Sequence, residues 1–200
     1  MSGAGIDLRI AELLAARLCH ELVSPIGAIN NGVELLEDDP DFAADAAGLI
    51  GQSAIQATRR LQFYRIAYGS TAPISADLGR KAALDLFAGG KIACDWPEAP
   101  PVADAKLTCN LLLVAAEALP RGGRLTVVAS DRLEIRAEGE GARLPPHLPD
   151  ALSGGLAATA VDARSVQSAF TGALARRGGL RPEIEGLASG ALVFRLASAG

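Results

Sequence analysis

Two long helical segments joined by only a few residues open the sequence and limit the folds available to it. Apolar residues at helical spacing predict a first helix over residues 6–38 and a second over about 40–68, with Asp39 as its N-cap. So short a connection makes the two helices antiparallel neighbours. A lone helical hairpin encloses no core, so we expect two chains to form a four-helix bundle as a homodimer; the alternative is a hairpin packed on its own chain.

The first helix carries His20 on its polar side. At about 100° per residue, the residues sharing this face are small or polar: Ala16, Ser24, Gly27 and Asn31. The imidazole is therefore expected to point to solvent or to a partner. An imidazole is a nucleophile that changes charge near neutral pH, and small neighbours would let a second protein bring an electrophile to it. The other interpretation is an ordinary surface histidine on an amphipathic helix.

The residues flanking His20 carry further expectations. Arg17 and Glu21 are spaced to pair at i, i+4, either as a solvated ion pair or with Glu21 orienting the imidazole or accepting its proton and Arg17 meeting an acidic partner. Pro25 lacks an N–H group and leaves the carbonyl of Glu21 without its helical donor, which predicts a bend just after His20. Cys19 is predicted to pack in the protein, because adjacent helical residues do not face each other.

Composition excludes several classes of function. The 19 basic and 23 acidic side chains give a net charge of −4, and no run of like charge is long enough to bind nucleic acid. No apolar run approaches the roughly 18 residues of a membrane span, so we expect a cytoplasmic protein. Three separated cysteines and two histidines make a zinc site improbable, so we expect no metal site.

The rest of the sequence predicts a second unit of helices layered on one sheet. Residues 69–73 read as a linker, dividing the chain into a helical hairpin domain over 1–70 and an α/β domain over 75–200, an α+β fold overall. Helices are predicted over residues 75–87, with Ser75 as N-cap, 105–119 and about 162–177, and strands over 91–96, 124–130, 133–137, 180–185 and 192–196. A Gly- and Pro-rich loop is expected up to about residue 156.

Two parts of the sequence resemble bacterial histidine kinases. H-E-L-x-x-P, beginning at His20, resembles the H-box of the kinase dimerisation helix. By that resemblance His20 corresponds to the phospho-acceptor, Glu21 to the adjacent acid and Pro25 to the helix-kinking proline, while Val23 replaces the usual arginine. The order of elements over residues 75–197 resembles an α/β sandwich of the kinase ATP-binding type, with landmarks at 110–127, 139–141 and 176–180.

Each of these motifs lacks the residues that contact nucleotide or Mg²⁺ in the kinase pattern. In the kinase pattern N-L-L-x-N-A the second asparagine reaches Mg²⁺, but Val114 stands there and offers no oxygen ligand. Ala137 replaces the aspartate that reads adenine in D-x-G-x-G. The glycine-rich phosphate loop is replaced by A-A-T-A-V-D-A at residues 157–163, with only Gly154 and Gly155 upstream. These losses predict a domain that no longer binds ATP.

A phospho-acceptor helix joined to such a domain resembles the ChpT-type histidine phosphotransferases. That resemblance implies a dimer that takes a phosphoryl group from the receiver domain of a hybrid histidine kinase and passes it to receiver domains of response regulators of the cell cycle. It implies His20 as the phosphorylated residue, Glu21 as an orienting group or base, and a docking face lined by Arg17, Ser24, Gly27 and Asn31. The chain would bind no cofactor, with Mg²⁺ supplied by the receiver. The alternatives are a dimeric pseudokinase adaptor with His20 unphosphorylated, and an atypical autokinase.

Overall fold

The computed structural model describes residues 8–38, 40–69, 74–98, 104–128, 132–187 and 189–198. Within these ranges the chain forms an antiparallel helical hairpin followed by helices and a five-stranded sheet, which confirms the predicted α+β fold. No described helix is both long and apolar enough to cross a membrane.

The hairpin consists of α1 (Leu8–Asp38) and α2 (Ala43–Tyr68). A short 3₁₀ turn, Pro40–Phe42, joins them, so the predicted start of the second helix at Pro40 is three residues early; the predicted N-cap, Asp39, lies outside the described residues. The helices approach closely at Gly32, where a Cβ atom would lie 3.3 Å from the carbonyl oxygen of Ala46 and 2.6 Å from Cγ1 of Ile50. A small residue on α1 thus lets the two helices pack.

Among its described residues the second unit forms four α-helices and five strands. The helices are α3 (Ala76–Phe87), α4 (Ala105–Ala116), α5 (Leu148–Ser153) and α6 (Val166–Arg177). The strands are β1 (Ile92–Asp95), β2 (Gly123–Val128), β3 (Glu134–Glu138), β4 (Leu180–Gly186) and β5 (Leu192–Ser198). The strand order is β1-β2-β3-β5-β4, with β1 parallel to β2 and the other pairs antiparallel.

Besides shifts of one to three residues at the ends of elements, such as α4 ending at Ala116 and not at Leu119, two details of the second unit differ from the sequence prediction. Helix α5 lies inside the predicted loop, where its six residues are too few to show helical periodicity. Helix α6 begins at Val166 and not near residue 162, because the Asp162 side chain bonds to Ser165 and holds the residues between them in a turn. The predicted N-cap of α3 is confirmed: the hydroxyl of Ser75 accepts a hydrogen bond from the backbone N–H of Leu78 at 3.3 Å.

One face of the sheet packs against the helices. Cross-strand partners Ile135 and Phe194 are fully buried there, as are Leu125 and Ala137. The opposite face carries charged pairs, such as Arg195 with Glu134 at 2.7 Å. This alternation is the one expected of an antiparallel sheet with one covered face.

The end of α2 is built into the second unit. The Nδ2 group of Asn110, on α4, donates to the carbonyl oxygen of Ala67 at 2.7 Å, and its Oδ1 accepts from Nε2 of Gln167, on α6, at 3.0 Å. The Tyr68 hydroxyl donates to Oε1 of Gln167 at 2.6 Å, and burial raises the pKa of Tyr68 to about 12. Asn110 and Gln167 are fully buried, so this satisfied network ties α2, α4 and α6 together.

Part of the hairpin packs on its own chain, which is one of the two arrangements considered from the sequence. Its C-terminal end packs on its own chain through the buried residues Phe63, Ile66 and Ala67. The remainder leaves large apolar side chains exposed: Leu8, Val23, Ile26, Val33, Leu36, Phe42, Leu49, Ile55 and Leu61. Leu61, near the C-terminal end of α2, is 55% exposed.

Candidate functional site

His20 lies on the exposed side of α1. Ser24 and Asn31 are exposed on the same face, and no heavy atom beyond the helix and its neighbours lies within 4 Å of the position that a Cβ of Gly27 would occupy. Within the described residues the imidazole forms no hydrogen bond or ion pair. The ring is thus open to a second molecule and is not committed to an internal partner.

Cys19, next to His20, is also exposed. The prediction that Cys19 packs in the protein is therefore wrong. Adjacent helical side chains point about 100° apart, so this exposure does not make a Cys–His pair.

Arg60, on α2, contacts the residue that follows His20. Its Nη1 group lies 2.5 Å from the carbonyl oxygen of Glu21 and 3.2 Å from Oε2 of the Glu21 side chain. This carbonyl is the one that Pro25 deprives of its helical donor. The guanidinium therefore fills the gap in the α1 hydrogen-bond ladder and also pairs with the carboxylate.

Arg17 turns toward the second unit. Its Nη2 group lies 3.4 Å from Oε1 of Glu117, the C-cap residue of α4, and Nε2 of His147 lies 3.7 Å from Oε2 of the same carboxylate. The predicted pair between Arg17 and Glu21 is therefore wrong, because folding brings each a partner from another element. Arg17, expected on the docking face, is half-buried in this contact.

The Arg17–Glu117–His147 cluster is only partly satisfied. Arg17 Nε, both Glu117 carboxylate oxygens and His147 Nε2 are buried and have no hydrogen-bond partner among the described residues. Burial raises the pKa of the Glu117 carboxyl above its ordinary value, although Arg17 and His147 lower it. The cluster joins α1 to the second unit through charge at a desolvated junction.

A cleft of about 320 Å³ opens between the hairpin and the second unit, lined on α1 by Arg17 and Glu21. Its charged wall consists of Arg17, Glu21, Arg60 and Glu117. Its apolar wall includes Leu86, Phe87 and Leu113. Across the part of the chain that the structure describes, no three His, Cys, Asp or Glu side chains gather as a metal site requires.

Val114, Ala137 and Asp162 stand at or beside the positions of the kinase nucleotide-binding motifs, and each contacts other residues of the second unit. Val114 and Ala137 are fully buried in the core of the second unit. Before α6, Oδ1 of Asp162 accepts hydrogen bonds from the backbone N–H groups of Arg164 at 3.0 Å and Ser165 at 2.9 Å, and from the Ser165 hydroxyl at 2.7 Å. These bonds lower the pKa of Asp162, the Ser165 hydroxyl contributing most.

Sequence reasoning missed Arg60 and Glu117. A signal for Arg60 was present, since a carbonyl left open by Pro25 needs a donor and Arg60 stands about as far beyond the hairpin turn as Glu21 stands before it. No comparable signal exists for Glu117, because its contact with Arg17 depends on how the hairpin docks on α4.

A hairpin with an exposed histidine, docked on a layered α/β unit, indicates a histidine phosphotransferase. The chain belongs to the histidine phosphotransferase family: the model of the histidine phosphotransferase C-terminal domain matches residues 79–186. It is 39% identical over 193 residues to the protein phosphotransferase ChpT of Brucella abortus (strain 2308), covering 90% of this chain and 92% of that one. A solved bacterial phosphotransferase shares 35% identity with a TM-score of 0.81, over 97% of this chain and 98% of the other.

Proposed function

We propose that the protein is the intermediate of a multistep phosphorelay, in which His20 carries the phosphoryl group between receiver-domain aspartates. The donor is the receiver domain of a hybrid histidine kinase, and the acceptors are receiver domains of response regulators, including regulators of the cell cycle. The single observation that carries the proposal is the exposed His20 ring, which has no bond to another described residue. A group that must accept and release phosphate is best left free of strong internal partners.

The phosphoryl transfer requires little from this chain beyond holding the His20 imidazole in position for attack. A ring nitrogen of neutral His20 attacks phosphorus with its lone pair, an N–P bond forms, and the P–O bond to the receiver aspartate breaks. The departing carboxylate keeps the electron pair of that bond, while the other ring nitrogen retains its proton. The reverse sequence delivers the phosphoryl group to the next receiver.

The receiver supplies the charge stabilisation in this proposal. Receiver domains carry an acidic pocket, Mg²⁺ and a lysine, so the developing charge is neutralised on the partner's side. The face of Ser24, Gly27 and Asn31 is small enough to let that pocket reach the imidazole. Bringing the two reactants together in alignment supplies the remaining rate enhancement.

Transfer without ATP is supported by three substitutions in the second unit. Val114 has no oxygen to bind Mg²⁺, and the methyl group of Ala137 cannot accept a hydrogen bond from adenine. The carboxylate of Asp162 already occupies N–H groups at the entry to α6 and would repel a phosphate there. The phosphoryl group would then come only from another protein.

A homodimer is supported by the apolar side chains that the hairpin leaves exposed. Ile26 and Val33 lie about 120° and 140° around α1 from His20, so pairing through them would bury apolar surface and leave both histidines accessible. We place this dimer in the cytoplasm, where receiver domains and their kinases exchange phosphate.

Labelling experiments separate this function from its alternatives. A receiver carrying ³²P-phosphate should transfer acid-labile label to the wild-type protein. An adaptor would bind the receiver and remain unlabelled. An autokinase would acquire label on His20 from ATP and Mg²⁺ alone, and that result would overturn the interpretation of Val114 and Ala137.

A further inference from the structure

We propose that Arg60 is a positioning residue for phosphoryl transfer, holding the turn of α1 that presents His20. The inference rests on the proposed function of His20 and adds the group that sets its geometry. It depends on one contact: the Arg60 guanidinium bonded to the backbone carbonyl of Glu21.

The need for such a group arises from Pro25. A residue four places after Glu21 normally donates its N–H to the Glu21 carbonyl, but proline has none. Pro25 is buried and the Arg60–Glu21 bond is partly buried, so the missing donor is replaced within the protein. At 2.5 Å the contact is a charge-assisted hydrogen bond and is stronger than the neutral one it replaces.

The same guanidinium also withdraws the Glu21 side chain from His20. Oε2 of Glu21 lies 3.2 Å from Arg60 Nη1, and both side chains are about one-third exposed. A carboxylate held by a cation on α2 is poorly placed to act as the base for the imidazole. Glu21 thus helps to hold this turn of α1 against α2. This role differs from that of orienting group or base, which its position in the H-box implies.

The Arg60–Glu21 contact affects His20 because the imidazole has no bond of its own to another described residue. Its orientation is set by the backbone of its helical turn, and the carbonyl fixed by Arg60 belongs to the next residue. Phosphoryl transfer is sensitive to alignment: a misplacement of about 1 Å reduces rates by about 10²-fold. Loss of Arg60 should therefore slow the chemical step while leaving receiver docking largely unchanged.

The competing explanation is that Arg60 attracts the acidic receiver. Arg59 provides a matched control, since it is the adjacent arginine of α2, is also half-buried, and has no bond to another described residue. If charge alone mattered, Arg59→Met and Arg60→Met would have similar effects. Only Arg60 is linked to the gap left by Pro25.

The decisive experiment combines Arg60→Met with Pro25→Ala. Single-turnover transfer from a ³²P-labelled receiver, measured over a range of receiver concentrations, gives the maximal rate and the half-saturating concentration. We expect Arg60→Met to lower the maximal rate by about 10–100-fold with little change in half-saturation. The Pro25→Ala substitution restores an N–H donor to the Glu21 carbonyl, so the double variant should recover most of the rate. Arg60→Lys, which retains the charge on a shorter side chain, should also be slow, and it replaces Arg60→Met if that variant does not fold.

Two results would overturn the proposal: a raised half-saturating concentration with an unchanged maximal rate, or no recovery in the double variant. The His20 ring ¹H–¹³C NMR signals of the unphosphorylated protein provide a readout independent of transfer. They should move in Arg60→Met and return toward wild type in the double variant; unchanged signals in Arg60→Met would reject the positioning role. If the wild type accepts no label, the proposed function fails, while these signals still decide whether Arg60 positions His20.

Discussion

Asn110 and Ala67 join the two halves of the protein, because the side-chain amide of Asn110 on α4 donates to the Ala67 carbonyl in the last turn of α2 at 2.7 Å. Asn110 also donates to the Lys106 carbonyl at 2.8 Å and accepts from Gln167, so each polar atom of its amide is used. In the kinase pattern this asparagine opens the nucleotide-binding box. Here it holds the hairpin against the α/β unit.

We predict that Asn110→Leu lowers the free energy of unfolding by about 1–3 kcal/mol, because it leaves the buried Ala67 carbonyl without its partner and removes one of the hydrogen bonds of the Gln167 amide. Urea denaturation would measure the loss. Asn30→Leu is the matched control: Asn30 is exposed on α1, and a surface substitution of this kind changes stability by less than about 0.5 kcal/mol. Equal effects at the two positions would show that the buried network does not stabilise the junction.

Glu117 predicts a pH dependence of stability. Burial raises its pKa in the folded protein, so the folded state binds its proton more tightly than the unfolded state. Its favourable contribution is complete below the ordinary carboxyl pKa and is lost as pH rises through the folded value. The free energy of unfolding of wild type, relative to Glu117→Gln, should therefore decrease as pH rises above about 4.5. Wild type gaining on the variant over this range would mean that Arg17 and His147 outweigh the cost of burial.

The exposed apolar residues of the hairpin predict its oligomeric state. Sedimentation velocity should give a dimer for the wild type and a monomer for Ile26→Glu or Leu61→Glu, because a buried carboxylate opposes pairing of the hairpins. Leu78→Glu is the control that tests whether a charge at any exposed apolar position would disrupt the dimer. Leu78 is 47% exposed on α3, similar to Ile26 at 48%, but lies outside the hairpin. A monomeric wild type, or a monomeric Leu78→Glu, would contradict the proposed interface.

The sequence predicted the elements whose signals are local. The Ser75 cap lies directly before α3, and the strands of the second unit stand between turn residues that mark their ends. Helix α5 was missed because its six residues, with Pro149 in the first turn, are shorter than two helical turns. Local pattern was therefore sufficient for the long elements and insufficient for the shortest one.

The candidate site likewise has features that the sequence predicts and features that it does not. The exposure of His20 follows from the helical projection of α1 alone. The partners of Arg17 and Glu21 do not, because Glu117 and Arg60 are distant in sequence and reach α1 only after the hairpin closes and docks. The projection likewise shows which side of α1 carries Cys19 but not whether another element covers it.

We propose above that His20 receives its phosphoryl group from a receiver domain and not from ATP. The most direct test is parallel incubation of wild type and His20→Ala with a ³²P-phosphorylated receiver domain, followed by measurement of acid-labile label on each protein. We predict label on wild type and none on His20→Ala, with circular dichroism and sedimentation showing that the variant stays folded and dimeric. Equal label on the two proteins, or none on the wild type, would contradict the claim.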